Sequence, residues 1–61
     1  MNLLTEVEAS EKLNVSPATM KIWRKHGRGP AYVKVGSRLI RYREDVIQKF
    51  IEDGEVRPKG E

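Results

Sequence analysis

A mainly α fold with a single β-hairpin is predicted for these 61 residues by three observations. Two short amphipathic stretches are separated only by Asn14-Val15-Ser16, so two helices must turn sharply on each other. Two alternating, β-rich stretches, 31–35 and 38–42, meet across Gly36-Ser37 and read as a hairpin. A third amphipathic stretch opens at Arg43-Glu44-Asp45. Helix, turn, helix, two-stranded wing and C-terminal helix is the order of a winged helix-turn-helix.

Each element has local chemistry behind it. Thr5-x-x-Glu8 is a capping box, with Leu4 and Ala9 spaced as a hydrophobic staple. Ala9 and Leu13 share one face, and Asn14 tolerates the left-handed stop, which predicts a helix over 6–13. Ser16 is an N-cap, and Pro17 at the first helical position loses only a donor that would be orphaned anyway. The second helix runs from Pro17 to Lys25 or His26, with Gly27 as its stop. At 100° per residue Met20 and Trp23 fall on its core side; Ala18, Lys21, Ile22 and Lys25 fall opposite. Gly27-Arg28-Gly29-Pro30 is an irregular connection.

In the hairpin, Gly36-Ser37 suits a two-residue type II′ turn. That register faces Val35 with Arg38 and Val33 with Ile40. It gathers Val33, Val35, Ile40 and Tyr42 on the core face and leaves Tyr32, Lys34, Leu39 and Arg41 outside. A three-residue loop would shift the register and turn Leu39 inward. The third helix places two acids at its N-terminus and Val46, Ile47, Phe50 and Ile51 on its buried stripe, ending at Asp53-Gly54. The expected organisation is one domain over 1–53 and a flexible charged tail over 54–61, broken by Pro58 and Gly60.

Charge is the most segregated property of the chain. From Ser16 to Arg43 there are eight basic residues and no acid: Lys21, Arg24, Lys25, Arg28, Lys34, Arg38, Arg41 and Arg43. Lys12 against Glu6, Glu8 and Glu11 leaves the first 15 residues at −2. Lys49, Arg57 and Lys59 against Glu44, Asp45, Glu52, Asp53, Glu55 and Glu61 leave residues 44–61 at −3. A block of this kind marks the footprint of a polyanion, and double-stranded DNA is the expected partner because the block covers the second helix, the connection and the wing. Its competitors are a merely solvated face, or a protein-interaction module binding an acidic protein.

Other classes are disfavoured. With no cysteine there is neither a disulfide framework nor a Cys-based zinc staple. His26, the one histidine, has no ligand partner at useful spacing, so neither metal nor cofactor is expected. Gly27-Arg28-Gly29 lacks the further glycine and the preceding strand of a dinucleotide loop. A chain this small has little volume for a small-molecule pocket, and a non-enzymatic binding protein is expected. Acidic Glu6 interrupts any apolar leader, and no run approaches the roughly 20 apolar residues of a membrane span. The expectation is therefore no membrane partner and a cytoplasmic, nucleoid-associated location.

An ordered set of residues carries a resemblance. Leu3-Leu4-Thr5, Glu8-Ala9, Leu13, Val15-Ser16, Thr19, Trp23, Gly29-Pro30, Val33-Lys34-Val35-Gly36, Arg41-Tyr42 and Asp45-Val46 resemble the excisionase-like family of small helix-turn-helix proteins. That family is related in fold to the MerR-type DNA-binding domain, and the resemblance covers roughly residues 3–52. Asn14 stands at a usual glycine and Ser10 at a common alanine. The Gly36–Tyr42 interval is one residue longer, and the Tyr42–Asp45 interval one shorter, than in many relatives, so the wing tip differs locally.

The resemblance implies a bacterial or phage-encoded recombination directionality factor. Such a protein binds DNA beside a recombination site and assists an integrase in excising a phage or mobile element. The alternative it implies is a small AlpA-like transcriptional regulator using the same surface. No stretch reads as an effector domain or a long dimer helix, so neighbouring copies are expected to cooperate on DNA. Docking geometry makes Ser16, Pro17, Ala18, Thr19, Lys21, Ile22 and Lys25 the recognition-helix contacts. Lysines suit guanine acceptors, while Ala18, Ile22 and the Thr19 methyl suit thymine methyl groups. Arg24 and Arg28 are candidate phosphate contacts, and Lys34, Ser37, Arg38 and Arg41 are candidates on the wing.

Overall fold

The first helix begins where its capping box begins. In the computed structural model, which describes residues 2–56, α1 spans Glu6–Leu13. The Thr5 hydroxyl accepts from the Glu8 amide at 3.1 Å, and the Glu8 carboxylate accepts from the Thr5 amide at 2.8 Å. Asn14 stops the helix at φ 58°. Its amide donates to the Glu11 carbonyl at 3.1 Å and the Val15 amide to the Ser10 carbonyl at 2.9 Å, the paired bonds of a Schellman motif.

The second helix, α2, spans Pro17–Lys25 and repeats this grammar. Ser16 Oγ accepts from the Thr19 amide at 3.2 Å. At the other end Gly27 takes φ +68°, its amide donates to the Arg24 carbonyl at 3.3 Å, and the Arg28 amide donates to the Trp23 carbonyl at 2.7 Å. Both predicted helix spans and both stops agree with the structure.

The strands are β1 (Leu3–Leu4), β2 (Val33–Val35) and β3 (Leu39–Arg43), antiparallel in the order β1-β3-β2. β1 was not expected. Leu3 pairs with Arg43 and Leu4 with Tyr42, and the Glu44 amide extends the ladder to the Asn2 carbonyl at 2.9 Å. Leu4 is thus both strand and core residue, buried with Ala9 as the staple required.

The wing corrects the expected register. Val33 faces Arg41, Lys34 faces Ile40 and Val35 faces Leu39, so the loop is the three-residue Gly36-Ser37-Arg38, with Gly36 at φ +72°. The shift reverses β2 rather than β3. Ile40 and Tyr42 stay on the core side, joined by Tyr32 and Lys34, while Val33 and Val35 turn to the outer face with Leu39 and Arg41. Leu39 therefore does not turn inward; it is 52% exposed. Tyr42 holds the face of β3 because it is almost fully buried, and the alternating strand carries Ile40 with it.

The third helix, α3, spans Glu44–Asp53 and closes the core. Leu4, Ala9, Met20, Tyr42 and Ile47 form its centre, with Leu13, Val15, Trp23 and Ile40 packed around them. The stripe predicted on α3 is only partly buried. Ile47 is sealed and Val46 is half-buried, but Phe50 is 36% and Ile51 41% exposed. One thin layer of α1 and β3 covers the Ile47 side, and among the described residues no second layer covers the rest. Of the predicted tail, residues 57–61 lie outside the described residues.

Candidate nucleic-acid interface

The outward face of α2 is where the sequence places recognition. Ser16, Pro17, Ala18, Lys21, Ile22 and Lys25 are all exposed there, and Ile22 is 55% exposed with no core to join. Thr19 is half-buried, with its hydroxyl 3.0 Å from that of Ser16. Met20, on the opposite side of the helix, is fully buried. That anchor fixes the rotation of α2 and therefore which side chains point away from the protein.

Trp23 flanks this anchor, half-buried and 5.9 Å from the Phe50 ring. Its position dictates the connection that follows. Gly29 has φ +80°, and a Cβ there would lie 2.7 Å from Trp23 Cε3. Only glycine lets the backbone pass so close to the indole, and the chain then continues through buried Pro30 into the wing.

Arg24 is occupied within the protein. Its Nε and Nη2 both lie 2.8 Å from Glu6 Oε2, and its guanidinium stands 5.8 Å from the centre of the Tyr32 ring. Burial works against the charge of Arg24, but the Glu6 hydrogen bond and charge outweigh it and raise the pKa above its ordinary value. Burial, then the Glu6 charge, likewise raises Tyr42, whose hydroxyl Arg24 also influences. The group ties α1, α2 and the sheet together at the C-terminal end of α2. Glu6 and Arg24 are eighteen residues apart, and no local pattern announces the pair.

Arg43, the last cation of the block, is also paired, its Nη2 3.0 Å from Asp45 Oδ2. Lys21, Lys25, Arg28, Lys34, Arg38 and Arg41 have no acidic partner among the described residues. Arg28, Lys34, Ser37 and Arg38 are exposed; Arg41 is half-buried, and its Nη1 donates to the Ile40 carbonyl at 2.7 Å. The register puts Lys34 and Arg41 on opposite faces of the wing, where the two-residue turn would have placed them together.

Two helices at a tight turn, the second exposed and basic, beside a basic hairpin, define a helix-turn-helix DNA-binding domain. Residues 3–55 match the model of the helix-turn-helix domain family, and the chain belongs to that family, which includes the excisionase-like and AlpA-type small proteins. DNA binding is the function of such a domain, and the family is typically non-enzymatic. No curated protein and no solved structure matches the chain. Among the described residues no helix is long and apolar enough to cross a membrane, and no cluster of His, Cys, Asp or Glu could hold a metal ion.

Proposed function

We propose that this protein is an excisionase-type architectural factor. It binds specific duplex DNA beside a recombination site through α2 and the wing, acts with neighbouring copies, and helps an integrase run in the excision direction. The observation that carries this reading is the division of the molecule into two unlike surfaces. Among the described residues the cations without an acidic partner lie on α2, the loop and the wing. The acids of α3 accompany apolar side chains, Phe50 and Ile51, that the core leaves uncovered. An acidic, apolar surface is repelled by phosphates and suits protein contact, so a copy on DNA has a surface left for a partner. Arg28, Lys34, Ser37, Arg38 and Arg41 hold the backbone in this reading, and Ser16, Pro17, Ala18, Thr19, Lys21, Ile22 and Lys25 meet the groove. Arg24 positions α2 through Glu6.

The test is a recombination assay with a cognate integrase. Excision is expected to need the protein and to fail with Lys21→Ala and Lys25→Ala combined. Excision at full rate without the protein, together with altered expression from a promoter it occupies, would transfer the role to an AlpA-like regulator.

A further inference from the structure

The outward face of α2 is basic on its flank and apolar at its crest. Met20 is fully buried, so the direction opposite it points straight away from the protein. At about 100° per residue that direction lies about 20° from Ala18 and about 20° from Ile22, one on each side, but about 40° from Lys25 and about 80° from Lys21. Ala18 and Ile22 stand at i and i+4, one above the other, and both are exposed, Ile22 by 55%. The nearest hydroxyls are engaged with the helix cap and with each other. Ser16 Oγ accepts from the Thr19 amide at 3.2 Å and lies 3.0 Å from Thr19 Oγ1. The side chains that would go deepest into a groove are therefore two that can make no hydrogen bond.

We infer that Ala18 and Ile22 form a reader of pyrimidine C5-methyl groups, with Ile22 as its main contact. The inference rests on the DNA-binding reading and names the chemical group by which that surface chooses its site. The major groove presents hydrogen-bonding atoms at every base pair, and its apolar projection is the methyl group at C5 of thymine. Cytosine presents the same group only when it is methylated at C5. Beside an unmethylated G·C pair, Ile22 would strip water from donors and acceptors that it cannot satisfy. Lys21 and Lys25 do not supply this choice, because an ammonium serves phosphates and guanine acceptors alike. The rival occupant of an exposed isoleucine is an apolar patch on a second protein. Such a patch would have to approach past Lys21, Lys25 and Arg28, which have no acidic partner among the described residues, and that frame favours a polyanion.

The experiment compares affinities for short duplexes of alternating A·T, A·U, G·C and G·5-methylcytosine pairs. A·T differs from A·U, and G·5-methylcytosine from G·C, by the C5-methyl group alone. Alternation puts a methyl group at every pair of the methylated duplexes, so the reader meets one in any register. The wild type is expected to bind A·T about four-fold or more tightly than A·U, the value of one buried methyl group. Ile22→Ala should compress that preference to less than about two-fold. The ratio is taken within one protein, so an inactive fraction cancels. A matching gain on methylating cytosine would show that either base supplies the group, and a response confined to A·T against A·U would make thymine its source; both support the reader. Equal wild-type affinity for A·T and A·U overturns it and leaves the DNA-binding reading standing, with Ile22 free for a protein partner. A preference that survives Ile22→Ala also overturns it, because the methyl group then acts through duplex shape and stiffness. No binding to any of these duplexes removes the underlying reading and the inference with it.

Discussion

Gly29 and Gly36 both lie at positive φ, +80° and +72°, yet they answer to different constraints. A Cβ at Gly36 meets nothing within 4 Å, whereas one at Gly29 would penetrate the Trp23 ring. Gly36→Ala should therefore cost only the left-handed backbone penalty, about 1 kcal/mol. Gly29→Ala should cost about 2–4 kcal/mol, because backbone strain is joined by displacement of an indole that packs on the core and on Phe50. Urea unfolding of the two variants measures the difference. Equal losses would mean that Trp23 yields freely and does not fix the path of the chain into the wing.

At the level of elements, stability rests on ends as much as on cores. α1 has eight residues, too few to persist alone, and its first turn is held by the reciprocal Thr5–Glu8 bonds. Thr5→Ala should lower stability by about 1 kcal/mol, read as a fall in Tm of about 4–8 °C for a domain of this size. An unchanged Tm would show that tertiary packing alone sets the start of α1. Such local chemistry is what the sequence displays openly: the capping box, Asn14, Ser16-Pro17 and Gly27 bound both helices correctly. The hairpin was harder, because loop length decides whether Val33 and Val35 or Tyr32 and Lys34 share the face of Ile40 and Tyr42. Gly36-Ser37 suits a two-residue turn, while the loop takes Arg38 as well. Alternation alone then gives two registers, and burial of Tyr42 under α1 and α3 decides only the phase of β3. β1 is two residues long, too short for any periodicity. The outward set on α2 was legible because buried Met20 fixes the helix phase. The Glu6–Arg24 pair was not, because it joins elements that only tertiary structure brings together.

Across the whole molecule, the acids of α1 and α3 either pair with structural cations or gather away from the basic block. Glu6 takes Arg24, Asp45 takes Arg43, and Glu44 takes Lys12 at 3.5 Å. Six cations on α2, the loop and the wing have no acidic partner among the described residues. If about five of them neutralise phosphates, log K should fall with log[salt] at a slope of about −4.5. Removing one contact should shrink the slope by about 0.9, which makes the slope a count of contacts rather than a measure of affinity. Lys34→Ala and Arg41→Ala then distinguish how the wing lies, since the register puts these side chains on opposite faces. A wing laid flat with one face on the backbone should lose slope with one substitution only. A wing inserted edge-on should lose it with both. Arg43→Ala should shrink the slope by less than about 0.9, because Asp45, 3.0 Å away, partly offsets that cation. A loss of about 0.9 there would mean that DNA takes Arg43 from Asp45, extending the footprint along β3 to the start of α3.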